Sequence, residues 1–271
     1  MVAAALVGCA QPPRQGGGIV STNPCADAIL VRLVPPDRIA AISHYSRTPG
    51  ASSIPVDVAR RFRATAGTAE EVVAMRPDLV LASRFTPPST RVAFKRAGLR
   101  TLYLDAPRTI AASRAQVAEI AAAVGAPERG QALVAEIDRA VAARADVSPP
   151  RPAPGWDEEG EERPAALLFI AGDLATGSGT LLDELLTRAG FVNAAARYGL
   201  QYTGTLPGEL IAADPPDVVL APDPDGRLAA IRARLLPGTP VAIFPRELVN
   251  CGGPSIAPAL ARLRTVRASL P

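Results

Sequence analysis

Apolar and polar positions along this chain follow two alternating periods. Short apolar stretches at residues 19–21, 38–43, 79–81, 99–104, 166–170 and 241–244 have the length of buried strands. Between them run segments with apolar residues at helical spacing. One opens at the turn Thr22-Asn23-Pro24-Cys25-Ala26-Asp27 and continues through Ala28, Ile29, Leu30 and Leu33. Others cover residues 91–98 and 181–189, and a closing helix carries Ala259, Leu260 and Leu263. Regular alternation of helix and strand predicts parallel sheets.

One passage is repeated. Residues 67–82 read GTAEEVVAMRPDLVLA and residues 204–221 read GTLPGELIAADPPDVVLA. Each predicts a short helix, a proline stop and a buried strand. In the first, Thr68 caps the helix and Glu71, three residues on, completes a capping box. Two copies so far apart predict two similar lobes in one chain. From residue 110 to 144 the strands cease. Val117, Ile120, Ala121 and Val124, then Leu133, Val134, Ile137 and Val141, keep helical spacing around a break at Gly125-Ala126-Pro127. The second helix, of about 18 residues, would reach roughly 27 Å and bridge the lobes. The Pro-rich, acidic residues 148–164, which hold the one tryptophan (Trp156), predict a solvated surface loop.

Composition narrows the classes. Among 271 residues, 29 basic and 26 acidic side chains nearly balance, so nothing points to nucleic acid. A hydrophobic fraction of 48% excludes a disordered chain, and no apolar run approaches the ~20 residues of a membrane helix. The first nine residues, MVAAALVGC, match a lipobox, with Cys9 as the acylated cysteine and residues 11–18 as a flexible tether. That predicts a mature domain outside the cytoplasm, touching a membrane only through the lipid anchor.

The candidate chemistry gathers in loops at the carboxyl ends of strands, where open α/β sheets bind ligands. Residues 44–49, HYSRTP, hold the only histidine. His44 alone cannot build a multi-histidine metal site, and it is either a packing residue or a ligand contact beside Tyr45. Residues 83–88 offer Arg84 and Phe85, and residues 171–180 offer Gly172, Asp173 and the tight turn Gly177-Ser178-Gly179-Thr180. That turn lacks the lysine of a phosphate loop and the spacing of a dinucleotide fingerprint. A hydrolase would need His44 as base and has no nucleophile elbow. Cys25 and Cys251 lie on loops at helix starts, one per half, and three states fit them: a disulfide, thiolate contact with a metal-bearing ligand, or free thiols.

Taken together, the residues 19–24 opening, the 40–49 strand and loop, the 67–82 unit, the GSGT turn running into Leu181-Leu182-Asp183-Glu184-Leu185 and the second copy ending at Ala221 resemble class III periplasmic substrate-binding proteins of ABC importers. This group serves cobalamin, ferric siderophores and heme, and its cobalamin-binding members are the most similar. The resemblance implies two Rossmann-like α/β lobes joined by one long backbone helix. The corresponding domains are a signal remnant and tether (1–17), an N-terminal lobe (18–124), an interlobe helix (125–147) and a C-terminal lobe (148–271).

It further implies a periplasmic monomer without catalysis or a resident cofactor. Such a protein clamps a corrinoid or ferric siderophore between its lobes and hands it to the permease. Ligand contacts expected on this basis are Asn23, Cys25, His44, Tyr45, Arg47, Arg84, Phe85, Gly172, Asp173, Tyr202 and Cys251. Tyr45, Phe85, Tyr198 and Tyr202 are the rings available to stack on a large flat ligand. Permease docking would fall to Glu70 or Glu71 on one lobe and Glu209 on the other. The rival expectation is a bilobal enzyme holding a metal or cofactor through Cys25 and Cys251.

Overall fold

The computed structural model describes residues 17–143, 163–222 and 234–270. Two sheets organise it. The first, in order β3-β2-β1-β4-β5, comprises β1 (Ile19–Ser21), β2 (Ile39–Ser43), β3 (Ala64–Thr65), β4 (Leu79–Ser83) and β5 (Thr101–Leu104), and every pairing is parallel. The second, in order β11-β10-β6-β7-β9, comprises β6 (Ala165–Ala171), β7 (Leu174–Thr176), β9 (Thr203–Thr205), β10 (Val218–Ala221) and β11 (Val241–Ile243). A short β8 (Val192–Asn193) also pairs with β6, in parallel. The chain is therefore α/β with two Rossmann-like lobes and mainly parallel sheets.

Strand alternation divides the core into three. In β4, Leu79 and Leu81 face one side, while Val80 and Ala82 face the other with Val72, Met75 and Phe94. In β6, Ala166 and Leu168 face one side, while Ala165, Leu167 and Phe169 face the other with Ala194, Ala195 and Ile211. The first-named face of each sheet joins one cluster shared by both lobes. Its middle layer is helical: α1 (Pro24–Leu33), α5 (Ile110–Ala123), α6 (Pro127–Ala142), α7 (Leu181–Arg188) and a last helix, α10 (Ile256–Ala268). The outer faces are covered by α3 (Ala69–Met75) and α4 (Pro88–Arg96) on one lobe, and by α8 (Ala194–Arg197) and α9 (Gly208–Ala213) on the other. The remaining short helix, α2 (Val56–Ala59), follows the β2 loop.

Helix α6 has 16 residues, so it spans roughly 24 Å. It lies tightly against α5 because Gly130 has no side chain; a Cβ there would sit 2.4 Å from that of Ala121. At its other end, the Arg264 guanidinium on α10 donates to the Ala140 carbonyl at 2.8 Å. The sequence places the Gly125 break between α5 and α6 correctly.

Two expectations need amendment. Residues 171–180 are not one loop: β7 forms an antiparallel hairpin with β6, and Gly172 and Asp173 are its turn. The Thr68 hydroxyl does accept from the Glu71 amide, but the Glu71 carboxylate does not return to the cap. It accepts instead from Thr65 Oγ1 at 2.7 Å and the Ala66 amide at 2.8 Å. Cys9, the lipobox, residues 148–162 and Trp156 lie outside the described residues. Among the described residues, no helix is long and apolar enough to cross a membrane.

Candidate functional site

A cleft of about 430 Å³ opens between the lobes, at the carboxyl ends of the strands. The first lobe contributes Asn23 and Cys25 after β1, Ser83 and Phe85 after β4, and Leu104 to Arg108 after β5. The second contributes Ile170, Thr176, Gly179 to Leu182, Tyr202 and Thr203, and the segment Val249 to Gly252. Most of this wall is apolar, which suits a ligand with a large hydrophobic surface.

Local geometry explains how each functional side chain is held. Asn23 caps α1, its Oδ1 accepting from the Cys25 amide at 2.9 Å, and this fixes the cysteine at the first turn. Cys25 is disulfide-bonded to Cys251 with their Cα atoms 5.2 Å apart, 226 residues apart in sequence. The open question over the two thiols is thereby settled: neither is available to ligate a metal or cluster. Among the described residues, no group of three or more His, Cys, Asp or Glu could hold a metal ion.

Phe85 sits on a turn closed by the Ser83 hydroxyl, which accepts from the Phe85 amide, and the ring is 81% exposed. Tyr202 has φ +60, a left-handed backbone that costs a non-glycine residue of order 1 kcal/mol. Its amide donates to the Ser178 carbonyl, and its own carbonyl accepts from the Gly177 amide. Held this way, the ring lies over Gly179, half exposed in the cleft. The guanidinium of Arg108, from the opposite lobe, stacks on it at 4.6 Å.

Of the expected ligand contacts, the structure brings Asn23, Cys25, Phe85, Tyr202 and Cys251 together in this cleft. The others do not line it. His44 Nδ1 is 3.2 Å from the Thr65 carbonyl, and its ring packs on Tyr45. Arg47 donates to the Phe62 carbonyl. Arg84 reaches Asp105 at 3.8 Å as an exposed pair. Gly172 and Asp173 stand at the hairpin turn, and Tyr198 donates its hydroxyl to the Asp214 carbonyl on the outer face.

The loop bearing His44 instead crosses to the second lobe. The Asn250 side chain donates through Nδ2 to the Gly50 carbonyl at 2.6 Å, and the Ser53 hydroxyl donates to the Glu247 carbonyl at 2.6 Å. Glu184 on α7 reaches back to accept from the Ile110 amide at 2.8 Å, capping α5 across the lobe boundary. Arg108 and Asn250 escaped the sequence reading. Arg108 follows the strand-edge rule that located Phe85, since it lies just beyond β5.

Beneath the crossing loop, Asp27 of α1 is fully buried. Its Oδ2 accepts from Ser46 Oγ at 2.7 Å and the Ser43 amide at 2.9 Å, and its Oδ1 has no partner. Desolvation raises its pKa to about 7, against the opposing pull of Ser21, Ser46 and the Ser43 amide.

The arrangement has no nucleophile–base pair or metal-ligating cluster among the described residues. What it can do is enclose. No curated protein sequence matches the chain. Among solved structures, the periplasmic heme-binding protein BhuT in complex with two hemes is 24% identical, with a TM-score of 0.72 over 93% of this chain and 98% of that one. The periplasmic heme-binding protein RhuT from Roseiflexus sp. RS-1 is 21% identical, with a TM-score of 0.72 over 93% and 99%. The periplasmic vitamin B12 binding protein BtuF of Vibrio cholerae is 15% identical, with a TM-score of 0.66 over 92% and 96%. At these identities the likeness speaks for the fold. The family model for periplasmic binding proteins matches residues 19–234. The chain thus belongs to the periplasmic binding protein family: it is a substrate-binding protein of ABC import, resident in the periplasm, and not an enzyme.

Proposed function

We propose that this protein captures a metal chelate, a cobalamin-like corrinoid, a ferric siderophore or heme, and delivers it to its permease. One observation carries the reading: Phe85 and Tyr202, from opposite lobes, expose their rings into the same mostly apolar cleft. Two exposed rings lining one mostly apolar cleft form a contiguous patch, and stacking on a planar ligand would cover it. That solved structures of the same fold bind hemes and vitamin B12 supports this class. The contacts proposed are Asn23, Phe85 and Tyr202, with the Cys25–Cys251 bond as part of the wall.

The lobes are taken as residues 18–124 and 148–271 around the connecting segment 125–147, supported by the two separate sheets on either side of α6. Docking on the permease is assigned to Glu70 and Glu209. Both are exposed in the first turn of the repeated helix, α3 in one lobe and α9 in the other, each two residues past its cap. Glu71 is occupied by Thr65 and Ala66, and those bonds hold its pKa below the usual carboxylate value. A lipid anchor at Cys9 completes the proposal.

The test is a thermal-shift screen against cyanocobalamin, hemin and several ferric siderophores. A true ligand at 100 times its dissociation constant stabilises by roughly 2.7 kcal/mol. Absence of a saturable shift with every chelate would overturn the reading.

A further inference from the structure

The two sides of the cleft are fastened differently. On one, the Cys25–Cys251 bond, Asn250 to Gly50 and Ser53 to Glu247 tie the lobes covalently and through backbone carbonyls. These ties leave no freedom for a ligand to enter between residues 50–53 and 247–251. On the other, the Arg108 guanidinium stacks on the Tyr202 ring across the lobes. A cation–ring contact at an exposed site holds with about 0.5–1 kcal/mol, so it opens readily.

Arg108 has a second property. Among the described residues, no carboxylate pairs with its guanidinium, whereas Arg84, the other arginine at this edge, is paired with Asp105. Among the described residues lining the cleft, Arg108 is thus a cation without a carboxylate partner, beside an apolar chamber.

We propose that Arg108 is a specificity-determining residue of the cleft: its guanidinium, stacked on Tyr202, is placed to turn to an anionic group of a bound chelate. Tyr202 is then uncovered for stacking, so one movement both opens the mouth and exchanges a weak contact for a charge-assisted one. The backbone hydrogen bonds of Tyr202 to Gly177 and Ser178 keep the residue in place while its partner changes. The ligand class narrows accordingly, to planar chelates that carry a carboxylate or phosphate at their edge. This inference rests on the chelate-binding reading, and it requires no further protein partner.

Matched ligand pairs test it. Hemin carries two propionates and its dimethyl ester none; cyanocobalamin carries a phosphodiester that dicyanocobinamide lacks. Each is titrated into wild-type protein and Arg108→Gln. The expected result is that, within whichever pair binds, the acidic member binds about tenfold tighter or more to wild type. In Arg108→Gln the two members become equal, because the acidic member weakens and the other does not. Arg108 is exposed, so unchanged melting of the variant serves as the folding control. Equal affinity of both members for wild type, or a preference that survives in Arg108→Gln, would overturn the role of Arg108 and leave the chelate reading standing. Failure of all four to bind would overturn the role of Arg108 toward planar acidic chelates, and the chelate reading itself would fall if the ferric siderophores of the thermal-shift screen also gave no shift.

Discussion

Laid over one another, the two sheets have the same plan and one difference. In each, a central strand (β1 or β6) is followed on one side by the strand of the repeated unit (β4 or β10) and then by an edge strand (β5 or β11). On the other side the N-terminal lobe crosses over through α1 to the parallel β2. The C-terminal lobe divides that place. Its parallel β8 pairs only with Ala165 and Ala166, and the hairpin strand β7 takes the upper part of β6 at Phe169 and Ala171. The inserted hairpin is what projects residues 176–180 and 202–203 into the cleft. The N-terminal lobe, lacking it, releases residues 44–53 at the same level, and these dock on the opposite lobe. One half has thus turned this edge into a ligand wall and the other into a fastening.

The fastening is the first thing to break. Replacing Cys25 and Cys251 by serine opens a 226-residue loop in the unfolded chain, which by closure entropy is worth about 5 kcal/mol. The double variant should melt far below wild type in denaturant titrations, and ligand should dissociate faster from it. Identical unfolding curves under oxidising conditions would remove the bond from the account.

Asp27 sharpens the comparison from the N-terminal side. Its counterpart in α7, Asp183, is well partnered, accepting from Asn193 Nδ2 at 2.9 Å and the Gly179 amide at 3.2 Å. Asp27 has a bare Oδ1 and a pKa raised to about 7. A carboxyl with a raised folded pKa binds its proton more tightly in the folded state. Its stabilisation is complete below the ordinary value of 3.8 and is lost as pH climbs through about 7. Asp27→Asn has no proton to lose. Between pH 4 and pH 8 the stability difference should therefore move by roughly 4 kcal/mol in favour of the variant. Parallel pH profiles for the two proteins would mean that Asp27 titrates normally.

How much of this was legible depended on whether the cause was local. The repeat was, because capping at Thr68, the proline stops and apolar runs such as Leu79-Val80-Leu81 act within a few residues. So was the α5–α6 break, where Gly125 supplies the positive φ. Strand β7 was not: Leu174-Ala175-Thr176 is three residues beside a glycine-rich turn, and it becomes a strand only between β6 and β9. Asn23, Phe85 and Tyr202 could be nominated from strand edges and scarce rings. That the His44 loop would dock rather than line the cleft depends on where the other lobe lies. The cysteine pairing likewise needed a 5.2 Å approach across 226 residues, which no spacing encodes.

The hairpin itself can be strained at Gly177. A Cβ there would lie 2.2 Å from the Leu200 carbonyl oxygen, which belongs to backbone and cannot swing away. Gly177→Ala should cost about 1–3 kcal/mol and displace Tyr202, lowering chelate affinity along with stability. The same change at Gly98, where nothing lies within 4 Å, isolates the φ +67 penalty alone and should leave affinity intact.

The smallest structural effect is expected where the lobes are most alike. Glu70 and Glu209 occupy the same position in α3 and α9, both exposed and outside the cleft lining. Acidic residues in a first helical turn have an ordinary role, since they favour the helix dipole by a few tenths of a kcal/mol. If that were their whole purpose, alanine at either would lower melting slightly and leave delivery unaffected. If they dock the permease, Glu70→Ala and Glu209→Ala should each bind chelate as tightly as wild type, with melting barely moved. Each should nonetheless slow uptake into vesicles containing the importer several-fold, and the double variant should nearly abolish it. Glu71→Ala is the internal control. Its carboxylate is held by Thr65 and Ala66, so it should loosen the start of α3 without a comparable loss of transport. Uptake that falls equally for Glu70 and Glu71 variants would assign the effect to the helix rather than to a docking contact.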